Sequence, residues 1–411
     1  MHEEIPPPAI YFNRRPLLRG GYGTPHSRRT SQMRPRMLLL TAIILCSSLT
    51  AVCSAADPFQ GADFRWQVLH TPALPDVLEL PPERIRGYRE LLDRYDTTFF
   101  PLRNHPSDTV GREVEETLAA LMKELEGLLT RSESQRLQQL FARCQGPAVL
   151  LDSSLAATME FSDQQRERLE RLFRDGAEKK RDLEKRLQSG EPMAALRREL
   201  ATAQTRERIA VQGVLTARQR DLWRRALGKD IDLTMLGDPT YKAPELIDSG
   251  DWINSEPVRL HDLKGTVVVL HFFACGCINC VHNYPVYQEW FDRFHGKGVV
   301  LIGVHTPETA FEEKSANVRQ KAAEDRLPFP VLIDGERKNW NAWGNSMWPS
   351  VYLLDKWGRL RAFWPGELKW QGATGDEWIL TQIDRLLAEQ VSPTPGESSD
   401  ATGRVRPSTA R

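Results

Sequence analysis

Charge of one sign is what this chain most plainly lacks: 55 Lys and Arg stand against 55 Asp and Glu over 411 residues. Bulk electrostatics therefore gives no reason to expect nucleic acid or an acidic membrane as a general partner. Cysteine is also scarce. Of six, three (Cys275, Cys277 and Cys280) fall within six residues, which tells against a disulfide framework spread along the chain and in favour of local chemistry. A second Cys-x-x-Cys or a His pair at zinc-ribbon spacing is missing, so His271 and His282 would ligate a metal beside Cys277 and Cys280 only after unusual folding. The reading carries no metal and no cofactor. Between residues 80 and 228 β-branched runs are missing too, which excludes a sheet there.

What is present divides the chain. Its 40% apolar content is enough for two cores. Residues 1–36, rich in Arg, Pro, Gly and Ser, read as disorder or as a mis-assigned start, with Met33 and Met37 as rival starts. Arg34 and Arg36, the apolar run from Met37 to Leu45, and Ser54-Ala55-Ala56 make a three-part signal peptide over 37–56. That predicts an exported, periplasmic or extracytoplasmic protein, soluble after cleavage; the alternative is a membrane anchor over 37–52. Val52 before Cys53 disfavours lipidation. Residues 57–236 have helical composition, 244–390 a mixed α/β pattern, and 391–411 form a polar tail. The expected fold class is α+β overall, with a helical N-terminal domain followed by a mixed sheet flanked by helices.

Within the helical region one phrase recurs: Leu129-Thr130-Arg131-Ser132-Glu133, Phe161-Ser162-Asp163-Gln164-Gln165 and Leu215-Thr216-Ala217-Arg218-Gln219, with a weaker copy at Leu80-Pro81-Pro82-Glu83. Thr130, Ser162 and Thr216 are predicted N-caps, with Glu133, Gln165 and Gln219 reaching back to close capping boxes. The phrase also resembles the L-T-x-x-Q repeat of Spy-like periplasmic chaperones and stress sensors. That resemblance implies a client-binding face, to which Lys179, Lys180, Arg181, Lys185 and Arg186 would add charge; a solvated helix face is the competing reading.

Beyond Gly237-Asp238-Pro239 the pattern changes. Val267–Phe273 is a continuous apolar run suited to a strand buried on both faces, 278–295 is helical in character, and Val299–Val304 is a second strand. Phe329–Ile333 makes a short strand. Val351–Leu354 and Leu360–Phe363 flank a turn at 355–358 as a hairpin, and a helix over 376–389 closes the region.

Cys277-Ile278-Asn279-Cys280 therefore falls where a buried strand ends and a helix begins. Free backbone N–H groups at a helix start stabilise a thiolate, so Cys277 is the expected nucleophile and Cys280, one turn on, the resolving thiol of a redox-active disulfide. A structural disulfide is the alternative, though so short a loop contributes little. His271, six residues before Cys277, is a candidate proton acceptor or else a packed core residue. Cys275 is a spare thiol, an oxidation sensor or a small space-filler, and Cys144 is a small buried hydrophobe or a partner in an interdomain mixed disulfide.

The region resembles thioredoxin-fold domains of the TlpA-like kind, nearest the redoxin module of DipZ-type proteins. The resemblance rests on Leu263-Lys264-Gly265, Cys277-Ile278-Asn279-Cys280, Val304-His305-Thr306-Pro307-Glu308, Trp340-Asn341-Ala342-Trp343-Gly344-Asn345 and Trp348-Pro349, in that order. It implies a cis-proline at Pro349 whose loop, with Trp348, binds an extended substrate, a kink at Pro285, and a helical insertion over 308–325. It further implies thiol-disulfide exchange on a disulfide-bearing protein or small thiol, more in the reducing direction, with a membrane electron donor. A thiol peroxidase would carry Thr three residues before its reactive Cys; here that residue is Ala274. The rival from another class is a chaperone or stress sensor with an auxiliary redoxin domain.

Overall fold

The structure is a computed structural model that describes residues 64–102, 107–151, 153–188 and 193–389. The expected leader at 37–56, the segment 1–36 before it and the tail at 391–411 lie outside the described residues.

Nine described helices precede the sheet: α1 (Phe64–Leu69), α2 (Leu74–Val77), α3 (Pro82–Leu102), α4 (Ser107–Leu128), α5 (Arg131–Gln145), α6 (Ser153–Met159), α7 (Asp163–Gln188), α8 (Met193–Val214) and α9 (Ala217–Leu227). The recurring phrase starts three of them. Thr130 and Thr216 cap α5 and α9 in complete capping boxes. At α7 the Gln165 N–H donates to Ser162 Oγ at 3.2 Å and the Ser162 N–H to Gln165 Oε1 at 3.1 Å. The third box residues also reach across space. Gln165 and Gln219 hydrogen-bond each other at 2.8 Å, joining the starts of α7 and α9, and Arg84 of α3 pairs with Glu133. Each box thus satisfies helix-end donors and fixes where the helix begins.

The sheet contains β1 (Tyr241–Lys242), β2 (Trp252–Ile253), β3 (Val267–Phe273), β4 (Val299–His305), β5 (Val331–Ile333), β6 (Ser350–Leu354) and β7 (Arg359–Pro365) in the order β1-β7-β6-β3-β4-β5-β2. The β3, β4 and β5 neighbours run parallel, and the remaining pairs are antiparallel. Helix α10 (Ile278–Phe294) connects β3 to β4, α11 (Ser315–Glu324) falls within the expected insertion, α12 (Lys338–Ala342) precedes β6, and α13 (Gly375–Ala388) is the last described helix. This is a thioredoxin-like mixed sheet flanked by helices. The two-residue edge strands β1 and β2 escaped the sequence reading because a pair so short has no periodicity.

Alternation along β3 explains its unbroken apolar run. Val267, Val269 and Phe273 face a core built with Tyr284, Tyr287 and Trp290 of α10 and Ile379 and Ile383 of α13. Val268, Leu270 and Phe272 face the other way, into a core shared with Trp66, Tyr88, Phe99, Phe100, Leu121 and Leu140. The N-terminal helices therefore cover one face of the sheet.

Polar pairs reinforce that seam. Arg359 of β7 holds Asp93 of α3 with its two terminal guanidinium nitrogens, and the buried Asp96 accepts the Lys242 N–H at 2.7 Å and lies 2.9 Å from His70 Nε2. Gly344, in the left-handed region at φ 57°, touches helix α3 so closely that an added Cβ would lie 2.3 Å from the Phe100 carbonyl oxygen. Of the basic run in α7, Lys179 and Arg186 both pair with Asp182 of the same helix and with Glu199 of α8.

Candidate active site

Strand β3 ends at Phe273, and Ala274-Cys275-Gly276 turns the chain into α10. Cys277 occupies the N-cap of that helix with extended backbone (φ −76°, ψ 115°), so it stands over the N–H groups of the first turn. It is half-buried, whereas Cys280 is fully buried. The Cys280 thiol donates to the Cys277 sulfur, and together with the backbone N–H groups of Cys280 and Asn279 this holds the Cys277 thiol below its ordinary value, against burial and the Glu308 carboxylate. Burial, then the bond to Cys277, pushes Cys280 far up. The pair is split into an outer, more acidic thiol and an inner, less acidic one, the asymmetry that stepwise exchange needs.

Pro285 lies within α10, and Asn283 anchors this helix to the loop after β7: its Oδ1 accepts the Leu368 N–H at 2.9 Å, and its Nδ2 donates to Tyr287 Oη at 3.0 Å. His282 pairs with Glu367 at 3.0 Å. The Trp348–Pro349 bond is cis. Because Phe272 pairs with Ser350 across β3 and β6, Pro349 falls at the strand end from which the cysteine loop departs. Trp348 stacks on Trp340 with centroids 4.1 Å apart, and the Arg337 guanidinium lies over its ring at 5.5 Å. Ile278, Phe311 and Met347 leave apolar side chains exposed.

His271 lies wholly within the core. Its ring stacks on Tyr287 at 4.1 Å and meets Phe329 edge-on at 4.9 Å, and neither ring nitrogen has a hydrogen-bond partner among the described residues. Burial drives its pKa down to about 3, which keeps the ring neutral. Gly303, its register partner on β4, makes room, since a Cβ there would lie 2.9 Å from Phe273 and 3.2 Å from His271.

Cys275 is buried. Burial, then the Glu312 carboxylate, pushes its thiol up to about 12. Cys144 is half-buried against the core shared with the helices.

Glu312 was not singled out from the sequence, yet it ties the site together. Its Oε1 accepts the Gly276 N–H at 2.6 Å, and its Oε2 accepts the N–H groups of Glu308 and Thr309 at 2.9 and 2.8 Å. Burial would raise its pKa, but the His305 ring 3.9 Å away and those three N–H groups outweigh burial and hold it well below the carboxylate range. One carboxylate thus pins the turn before Cys277 to the segment after β4.

The family model described as the AhpC/TSA family matches residues 239–363. Protein DipZ of Mycobacterium tuberculosis is 31% identical over 224 residues, which cover 53% of this chain and 30% of DipZ. The chain thus spans under a third of that relative's length. Thiol-disulfide oxidoreductase YkuV of Bacillus subtilis is 26% identical over 146 residues, 36% of this chain and 94% of YkuV. Among solved structures, a thioredoxin-like superfamily protein is 31% identical, with 36% of this chain and 97% of that chain covered and a TM-score of 0.32.

Proposed function

We propose that this chain, whose residues 239–363 match the AhpC/TSA family model, is an exported thiol-disulfide oxidoreductase that reduces disulfides of proteins or small thiols through Cys277 and Cys280. The observation that carries the reading is Cys277 half-exposed at the N-cap of α10 with Cys280 buried one turn behind it. The Cys277 thiolate attacks one sulfur of the target disulfide, forming a mixed disulfide and releasing the other sulfur as thiolate. Cys280 then loses its proton and attacks Cys277 Sγ, which closes the Cys277–Cys280 disulfide and frees the second target thiol. Two electrons pass to the target. A dithiol donor, in this reading held in the membrane, reduces the pair again.

Trp348 and cis Pro349 flank the strand end beside the cysteine loop and form the substrate-binding loop of this reading. His271 is the proton acceptor considered in this reading. A proton acceptor must carry charge during turnover, which the core around His271 opposes, so packing is the role that its surroundings favour. The N-terminal helices hold one face of the redoxin sheet. Export rests on the three-part segment at 37–56. A peroxidase reading is disfavoured by Ala274 three residues before Cys277.

Mixed-disulfide trapping tests the mechanism: a Cys280→Ser variant should accumulate covalent adducts through Cys277, and a Cys277→Ser variant none. Direction is tested by equilibration with glutathione. A potential near the roughly −270 mV of thioredoxin supports a reductase, and one near about −120 mV would overturn that direction while leaving exchange intact. Loss of aggregation suppression only on removal of the helices, with no disulfide turnover at any stage, would favour the chaperone reading.

A further inference from the structure

We infer that Cys275, His305 and Glu312 form a binding site for a divalent cation of the zinc class, separate from the Cys277–Cys280 pair. The three come from different segments: Cys275 from the turn after β3, His305 from the last position of β4, and Glu312 from the segment that follows. Pairing of Phe273 with His305 in the parallel register brings the first two together. All three side chains are buried, at 3%, 0% and 1% exposure. One ligand atom from each, Sγ, a ring nitrogen and a carboxylate oxygen, lies within 4.8 Å of the other two, and His305 Nε2 is 3.9 Å from Glu312 Oε1.

Three features favour a cation over mere packing. A cation centred among these atoms would start within about 2.8 Å of each, and inward shifts of some tenths of an ångström reach zinc–sulfur, zinc–nitrogen and zinc–oxygen lengths of about 2.3, 2.0 and 2.1 Å. Neither nitrogen of the buried His305 has a hydrogen-bond partner among the described residues, a costly state for a polar ring that a metal bond would relieve. Thiolate, carboxylate and neutral imidazole together cancel a double positive charge, so the occupied site is electrically neutral in a setting that penalises unpaired charge.

The Gly276, Glu308 and Thr309 N–H groups already orient the Glu312 carboxylate, as supporting donors do around metal ligands. On binding, the Cys275 S–H bond breaks, a sulfur–zinc bond forms and the proton leaves to solvent, with no change of oxidation state. Three protein donors leave a fourth position for water or a backbone oxygen. An occupied site would keep Cys275 out of disulfide chemistry two residues from Cys277.

The test uses the full chain with Cys277→Ser and Cys280→Ser, so that the redox pair cannot ligate. After equilibration with Zn(II) and gel filtration, elemental analysis should find about one zinc per chain, and Co(II) in its place should give a thiolate-to-cobalt absorption band. Adding Cys275→Ala or His305→Gln to that background should weaken zinc binding at least about 10-fold and, for Cys275→Ala, abolish the band. No bound zinc in the background, or undiminished binding in a folded Cys275→Ala protein, would overturn the site. If either added variant fails to fold, the background decides alone: zinc must raise its melting midpoint and slow alkylation of Cys275 mapped by peptide mass spectrometry. Absence of both effects overturns the proposal.

Discussion

Removing the Cys280 thiol should make Cys277 a less available nucleophile, and the size of that effect can be worked from the site. The hydrogen bond that Cys280 donates is the largest of the influences that lower the Cys277 pKa; the N–H groups of Cys280 and Asn279 persist in a Cys280→Ala variant. A hydrogen bond to a charged acceptor contributes roughly 1.5–3 kcal/mol, and the half-exposed setting of Cys277 reduces this to about 1–2 kcal/mol. Below the midpoint of the titration the thiolate fraction should then fall about 5- to 30-fold. A more basic thiolate is intrinsically more nucleophilic, which offsets about half of the loss on a logarithmic scale, so the net rate should drop roughly 2- to 5-fold. The assay is alkylation of reduced protein by iodoacetamide across pH, with Cys277 followed by peptide mass spectrometry to separate it from Cys144 and Cys275. Cys280→Ser, which keeps a hydroxyl donor, should fall between wild type and Cys280→Ala. A midpoint for Cys277 that stays put or moves down in Cys280→Ala would refute the assignment of Cys280 as the stabilising donor.

Three further outcomes follow from the packing. The folded pKa of His271 lies at about 3 against 6.5 for a free ring, so between these values the unfolded chain binds a proton that the native one does not, and stability is lost as pH falls below about 6.5. Relative to His271→Phe, the native protein should lose about 2 kcal/mol more between pH 7 and pH 5 in urea denaturation; parallel pH profiles would contradict a neutral, desolvated ring. Gly344→Ala combines a left-handed backbone with a methyl pressed on the Phe100 carbonyl oxygen, and should cost about 2–5 kcal/mol, seen as a lower denaturant midpoint at unchanged slope. An unmoved midpoint would mean that α3 does not rest on that loop. Thr216→Ala should cost about 1 kcal/mol by removing the cap of α9. Stability within about 0.3 kcal/mol of wild type would leave the capping box without an energetic role.

Local rules made much of this fold readable before any contact was known. Val267–Phe273 announced a strand buried on both faces, and the same segment forms β3. Thr130, Ser162 and Thr216 announced helix starts, since a capping box is completed within four residues. Cys277 and Cys280 were placed at a strand end and helix start, because both boundaries are set by neighbouring sequence. Illegible were Glu312, whose partners Gly276 and Glu308 meet only when β3 and β4 pair, and Gly344, whose smallness answers a helix more than 240 positions earlier. The surroundings of His271 were equally hidden: a lone His in an apolar run does not say whether solvent or Tyr287 covers it.

The division has one physical cause. Periodicity, capping and the placement of two thiols on a helix start act over a few residues, so the sequence by itself determined the helical region, the strands of three residues or more and the location of Cys277 and Cys280. Burial and electrostatic environment depend on what the rest of the chain brings near. Tertiary structure alone decided that the N-terminal helices cover one face of the sheet, how deeply Cys280 is buried beside a half-exposed Cys277, and that Cys275, His305 and Glu312 converge.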